Sequence, residues 1–377
     1  MNPYAEELLE KEGLESTAAV DHLDLDLLVK VASHTVFSPF FTFFIPLIYK
    51  SVGHYWTDTT LLLPTAWFLL MTTIWLLRFV TNKWRNAGTP GRLDWGDQII
   101  VITGGSSGVG ALLAETLAMR QCTVVVLDLK PIDTEHDNIN YYKCDISNGK
   151  EVEAAAKKIE RELGPPTVII NNAGVVQGKL ITDLTEEDVK QTFNVNVLGQ
   201  FNVLRVFLPY LLAEKEGHVV TMSSLLGYSG CAQVADYAAS KAALISLHDS
   251  LRQELDYRYR APLIRTTLLT PGLLQTSMFA GMRPLRESAM VPGWLFDFLM
   301  PTLPPHVIVK EIIKALDLQE SRDIVLPQFG KISLLMLVMP YWVKYFSKWV
   351  SGSNLAMKGF QKTEGGAQGT EHKSKDD

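Results

Sequence analysis

Between Asp97 and Gly272 the chain repeats one pattern: a short apolar run, a polar turn, then a segment with apolar residues at helical spacing. QIIVIT leads into a glycine-rich turn and then ALLAETLAMR, where Leu112, Leu113 and Leu117 are in apolar register. TVVVLD is a second strand, rich in β-branched residues. EVEAAAKKIERELG reads as a helix closed by Gly164, and TVIINNAG as another strand ending in a polar turn. A capping box, Thr185 to Asp188, opens the long helix TEEDVKQTFNVNVLGQFNVLRVFLPYLL. GHVVTMSS and LIRTTLLTPG supply two further strands. Apolar strands alternating with helices predict an α/β domain built on a doubly wound parallel sheet covered on both faces.

In such a sheet the turns after the strands collect on one edge, where ligands bind. The first turn, VITGGSSGVG, departs from the common G-x-G-x-x-G spacing, yet it joins a strand to a helix. Its backbone N–H groups and the helix start can hold a pyrophosphate. Gly104 permits the tight turn, and Gly108 and Gly110 allow close approach of backbone and nucleotide. Asp128 follows Gly110 by 18 residues, at the end of the second strand. A carboxylate there accepts from both adenosine ribose hydroxyls and repels a 2′-phosphate. The expected cofactor is therefore NAD ahead of NADP, with Lys130 as the dissenting residue.

YAASK places Tyr237 and Lys241 four residues apart in a segment that continues as a helix, so both share one face. An ammonium near the phenol favours phenolate and lowers the tyrosine pKa from about 10 toward neutrality. That expectation makes Tyr237 a general acid/base. MSSLLG, at the end of a strand, supplies Ser223 and Ser224 thirteen residues before it.

With TGGSSGVG, the acidic end of the second strand, CDIS, NNAG, NVLG, the serine before YAASK and TPGLLQT in this order, the chain resembles the short-chain dehydrogenase/reductase family over roughly Asp97 to Thr276. The resemblance implies a Rossmann-type catalytic domain and a relay of Asn196, Ser224, Tyr237 and Lys241. Ser224 would hydrogen-bond the substrate oxygen, with Ser223 structural. Asn196 would anchor a water behind Lys241, which would also bind the nicotinamide ribose. Thr103, Gly104, Ser106, Ser107, Gly108, Val109 and Gly110 would line the cofactor with Asp128. Asp145 and Ile146 would meet adenine. Asn171, Asn172, Ala173 and Gly174 would form the turn on the adenosine side, and Pro271, Gly272 and Thr276 would lie along the nicotinamide end. A homo-oligomer is also implied.

Two apolar blocks precede this region: Val31 to Tyr49, interrupted by Pro39 and Pro46, and Leu61 to Val80, long enough to span a bilayer. Lys83 and Arg85 after the second block put the following domain in the cytosol by the positive-inside rule. The expected organisation is an acidic segment at 1–27, a membrane anchor of one or two spans at 28–82 and a catalytic domain at 83–330. An amphipathic helix at 331–352 and a disordered polar tail at 353–377 follow. In the helix, Trp342, Tyr345, Phe346 and Trp349 recur at i, i+3, i+4, i+7, which suits either a membrane surface or the protein's own core. The terminal KSKDD resembles a K-x-K-x-x retrieval signal of endoplasmic reticulum membrane proteins.

The net charge of −6 excludes a general nucleic-acid binder, and neither the three cysteines nor the eight scattered histidines show metal spacing. After Thr276, the residues Met278, Phe279, Met282, Trp294, Phe296, Phe298 and Leu299 predict an apolar lid suited to a lipophilic alcohol or ketone. Within the family the layout is similar to membrane-associated retinol and hydroxysteroid dehydrogenases of the endoplasmic reticulum and lipid droplets. Two alternatives remain at this point: an NADPH-dependent 3-ketosphinganine-type reductase, which Asp128 disfavours, and a non-catalytic NAD-binding scaffold on a lipid surface.

Overall fold

In a computed structural model of the chain, the described residues are 25–88, 93–274, 277–279, 302–336 and 338–355, with 292, 298, 357 and 360. Three apolar helices come first: α1 (Leu25–His34), α2 (Pro39–Ser51) and α3 (Thr59–Arg85). The first apolar block is not one helix, because α1 and α2 meet at 59°. Ser38 precedes a proline and is extended (φ −89°, ψ 126°), and Pro39 then starts α2 with the φ a helix needs. Pro46 does not interrupt: it lies inside α2. With 13 residues α2 is roughly 20 Å long, short of a hydrocarbon core of about 30 Å. The 27 residues of α3 are long and apolar enough to cross. Helices α2 and α3 pack through Phe43 on Phe68 (5.5 Å), while the turn before α2 meets Trp67 of α3: Phe37 lies near its ring (5.7 Å) and Trp67 Nε1 donates to the Val36 carbonyl at 3.0 Å.

The catalytic region holds strands β1 (Ile99–Thr103), β2 (Thr123–Asp128), β3 (Ile139–Lys143), β4 (Val168–Asn171), β5 (Glu216–Met222), β6 (Leu263–Pro271) and β7 (Arg322–Leu326). They form one parallel sheet in the order β3-β2-β1-β4-β5-β6-β7. The predicted doubly wound sheet is therefore present. The run RDIVL, not read as a strand from sequence, adds a seventh on the far edge. Alternate residues of one strand serve opposite layers, as the pleat requires. Ile100 and Ile102 pack with Leu113 of α4 (Gly108–Ala118), while Val101 packs with Ile159 of α5 (Gly149–Glu162). Helix α6 (Glu186–Phe193), opened by the predicted Thr185–Asp188 capping box, passes through a π-helical turn at Asn194–Leu198 into α7 (Gly199–Glu214). This stretch is also long enough to cross a membrane, but almost half its most apolar window is buried, and Phe207 is fully enclosed against the sheet.

Strand order reverses between β1 and β4, so the turns after these two strands face each other across a crevice. Two side chains, Asn172 and Thr103, tie them. Asn172 Nδ2 donates to the carbonyls of Thr103 (3.1 Å) and Gly104 (2.9 Å), while Thr103 Oγ1 accepts from the N–H groups of Asn172 and Ala173. Gly104 has φ +65°. A Cβ on Gly110 would lie 2.1 Å from the Gly104 oxygen and 2.7 Å from Asn172 Nδ2. Gly110 thus lets the helix start pack on its own turn, a different reason from the nucleotide approach expected from sequence. Gly110→Ala is expected to destabilise the fold by about 1–3 kcal/mol or more, because backbone cannot move aside. Chemical unfolding of the detergent-solubilised protein measures this.

Candidate active site

A cavity of about 620 Å³ runs along the sheet edge from the glycine turn to the end of β6. Gly104, Ser107, Gly108 and Val109 line one end, followed by Asp128 and then Asp145 and Ile146. Asn172, Ala173 and Gly174 form its middle. Ser224, Tyr237 and Lys241 lie with Pro271 and Gly272 at the other end. Thr103, Ser106 and Gly110 sit behind the wall: Thr103 braces β4, and Ser106 Oγ donates to the Lys130 carbonyl at 2.6 Å. Asn171 is fully buried in β4. Thr276 lies outside the described residues, as do Met282, Trp294, Phe296 and Leu299 of the expected lid.

The first part of this cavity suits a nicotinamide dinucleotide. Ser107 at the start of α4 makes no side-chain cap, and the helix N-terminus opens on the cavity. Asp128 Oδ2 accepts from Ser106 N (3.0 Å), and Oδ1 from Leu129 N (2.7 Å) and Lys130 N (3.3 Å). Of roughly four lone-pair sites on a carboxylate, three are used and one stays open on Oδ2. Asp145 Oδ1 accepts from the N–H and hydroxyl of Ser147, which fixes the loop after β3.

At the other end, α8 (Ala235–Tyr257) carries Tyr237 and Lys241, both buried. Their i, i+4 spacing brings Lys241 Nζ to 5.5 Å from the Tyr237 ring centroid. The ammonium donates to the Met222 carbonyl at 3.0 Å. Ser223 Oγ donates to the Lys241 carbonyl (2.8 Å) and braces the helix from behind. Ser224, two residues past β5, lies beside the Tyr237 phenol in the cavity wall; its Oγ donates to the Pro271 carbonyl at 3.4 Å and accepts from Leu226 N at 3.2 Å. The expected downward shift of Tyr237 is not what this geometry gives. Burial pushes the phenol up to about 12, outweighing the lowering effect of the nearby Ser224 hydroxyl, and pushes Lys241 down to about 8. A low-dielectric pocket disfavours each charge more than the cation's attraction favours the phenolate.

Asn196 is held in the π-helical turn, a distortion frequent at functional sites. Its Oδ1 accepts from Val175 N at 2.7 Å, and its Nδ2 donates to the Val175 carbonyl and Ser240 Oγ, both at 3.0 Å. A Cβ on Gly174 would lie 3.4 Å from Asn196 Oδ1 and 3.5 Å from Lys241 Nζ. Gly174 therefore leaves a methyl-sized gap flanked by both groups.

The walls around Tyr237 are apolar. Phe279 meets its ring edge-on at 6.1 Å, and Met357, Val176 and Val234 pack beside it. Met357 was assigned from sequence to a loose tail beginning at 353, yet it is 3% exposed. Phe360 also packs here, against the Gly178 position. Ser347, Lys348 and Ser351 of the C-terminal helix and Met336 complete the cavity wall. Sequence reading missed these residues as site components. The amphipathic spacing of 341–351 was visible, but not what its polar edge would face.

Lys241 is expected to lose its proton near pH 8: charged below, neutral above, while surface lysines stay charged. NMR titration of labelled lysine side chains, assigned with Lys241→Met, reads this directly. A Lys241 signal titrating with the surface set would contradict the burial argument.

The family model described as short chain dehydrogenase matches residues 98–286. Dehydrogenase RED2 of Cochliobolus heterostrophus is 41% identical over 203 residues, 53% of this chain and 76% of that protein. Retinol dehydrogenase 10 of Bos taurus is 30% identical over 283 residues, 66% of this chain and 77% of that protein. A short-chain dehydrogenase from Burkholderia cenocepacia, solved in complex with NADP, shares the fold with a TM-score of 0.54 at 21% identity, covering 66% of this chain and 100% of that one. The chain thus belongs to the short-chain dehydrogenase family, as an NAD(P)-dependent alcohol dehydrogenase or reductase that resembles the retinol dehydrogenases.

Proposed function

We propose that this protein is a membrane-associated dehydrogenase that interconverts a lipophilic alcohol and its ketone or aldehyde with NAD(H), through Asn196, Ser224, Tyr237 and Lys241. The observation that carries this reading is the gathering of buried Ser224, Tyr237 and Lys241 at one end of the cavity, against an apolar wall of Phe279, Val176, Val234 and Met357. A polar reacting centre in an apolar pocket selects a molecule with one hydroxyl or carbonyl on a hydrocarbon body. The helices α2 and α3 support delivery of such a substrate from a membrane, with the catalytic domain on the cytosolic side of the endoplasmic reticulum or a lipid droplet.

A bound nicotinamide supplies or accepts the hydride; the protein's residues orient the reactants and move the proton. The uncapped start of α4 and the Gly104–Val109 turn would hold the pyrophosphate, Asp128 the adenosine ribose, and Lys241 the nicotinamide ribose. Ser224 donates to the substrate oxygen, and Tyr237 takes or gives the hydroxyl proton. In the oxidation direction Tyr237 must be deprotonated, so the rate rises with pH; in reduction it falls. In the proposed relay a water beside Gly174 would link Asn196 Oδ1 and Lys241 Nζ and carry a proton out of the site. Asp128 supports NAD over NADP through its charge. Its partial engagement with Ser106, Leu129 and Lys130 leaves room for one ribose bond rather than two.

The experiment uses full-length protein in detergent or liposomes, with NAD or NADP and retinol, steroid alcohols, long-chain alcohols or sphinganine. NAD-linked oxidation of a lipophilic alcohol is expected, with Tyr237→Phe lowering kcat by about 10²–10⁴-fold. Turnover with NADP alone would assign Asp128 a different role and favour a reductase. NAD binding with no turnover of any pair would favour a non-catalytic scaffold. Gly174→Ala is the sharper probe of the relay. Its new methyl meets both neighbours at ordinary contact distance, so the fold is expected to persist while kcat drops at least about tenfold with KM unchanged. An unaltered kcat would remove the water link from the mechanism.

A further inference from the structure

The helix α11 (Tyr341–Ser351), which follows α9 (Pro305–Asp317) and the short helix α10 (Ile332–Met336), borders two environments. Ser347, Lys348 and Ser351 line the cavity, and Lys348 Nζ donates to the Gly230 carbonyl at 2.5 Å across its wall. Away from the cavity, Trp342, Tyr345, Phe346 and Trp349 are 71%, 61%, 58% and 49% exposed. Leu335 and Val338 extend this surface. So dense an apolar and aromatic patch marks an interaction surface. Amphipathic tryptophan and tyrosine rings are placed best at a membrane–water interface.

Charge and position narrow the partner to a lipid surface. Between Lys331 and Gly352 the chain carries three lysines and no acidic residue, which complements anionic headgroups. The apolar N-terminal helices join the same edge of the domain. Helix α1 packs against the turn Gln328–Lys331, which runs into α10. Arg85, at the end of α3, donates twice to Asp323 of β7 at 2.8 Å, and Asn86 Oδ1 accepts from Ser321 N at 2.7 Å.

We propose that α11 seats in an anionic phospholipid surface and that seating opens the substrate cavity toward the bilayer. A lipid phosphate takes the place of the Gly230 carbonyl as acceptor for Lys348, because a hydrogen bond between two charged groups is roughly twice as strong as one to a neutral acceptor. Losing that bond frees the Lys348 edge of α11 from the segment around Gly230. The substrate class rests on the function proposed above; the docking does not.

The test uses the full-length protein in vesicles of phosphatidylcholine, with or without about one-fifth phosphatidylserine. An environment-sensitive label is placed at Tyr345→Cys in a Cys231→Ser background, and in a second sample at Glu153→Cys on the exposed face of α5. Brominated acyl chains are expected to quench the label at 345, more strongly with phosphatidylserine present, and to spare the label at 153. Equal quenching at both positions would overturn the docking. In parallel, KM is measured for a long-chain alcohol held in the vesicle and for a short water-soluble alcohol. Trp342→Ser with Phe346→Ser is expected to raise KM for the bilayer alcohol about tenfold, equivalent to about 1.4 kcal/mol, with kcat and the soluble alcohol unaffected. Equal changes for both alcohols, or none, would overturn the link between seating and substrate entry. Absence of turnover with either alcohol would count against the proposed function, while the label still decides the docking.

Discussion

The amide of Asn172 grips the carbonyls of Thr103 and Gly104 together, and this grip fixes how the first and fourth strands end. Both strands are buried on two faces and belong to one parallel sheet, so neither can shift alone. The glycine turn is then pinned from three sides: by Asn172, by Gly110 pressed against Gly104, and by Asp128 reaching Ser106 from β2. Once that turn is set, the open end of α4 points into the crevice and Asp128 stands at the nucleotide's far end. The cofactor half of the site is therefore a consequence of strand order more than of any single binding residue.

The chemical half depends on a different balance. Tyr237 and Lys241 are both buried, and burial moves each toward its neutral form. Spacing along a helix predicts that the two groups meet; it carries no information about how dry their surroundings are. The dryness comes mainly from residues distant in sequence, Val176, Met357 and Phe279, with Val234 added from the start of the same helix. The same apolar shell that disfavours charge also forms the wall on which the proposed hydrocarbon substrate rests, which would tie acid/base behaviour to specificity.

Much of this was legible in the sequence, for physical reasons that differ between elements. QIIVIT, TVVVLD and TVIINNAG are buried on both faces, so their composition alone marks them as strands. Strand β7 escaped because RDIVL is short, begins with two charges and runs directly into Pro327. Gly110 was read as room for a nucleotide, whereas what it avoids is the Gly104 carbonyl, a tertiary fact. Met357 lies in a polar stretch and looks like tail; it becomes wall only because the chain returns to the cavity. Pro46 shows the reverse: a residue that usually breaks a helix is carried inside α2.

In the proposed reaction, hydrogen leaves the carbinol carbon of a lipid alcohol for the nicotinamide at this site. The most direct measurement is mass spectrometry of the nucleotide after incubating full-length protein in vesicles with NAD and a long-chain alcohol deuterated at its carbinol carbon. Reduced nucleotide one mass unit heavier, formed at a rate below that with unlabelled alcohol, is the predicted result. Oxidised alcohol accompanied by unlabelled nucleotide would contradict it, as would the absence of any oxidised product with every lipid alcohol offered.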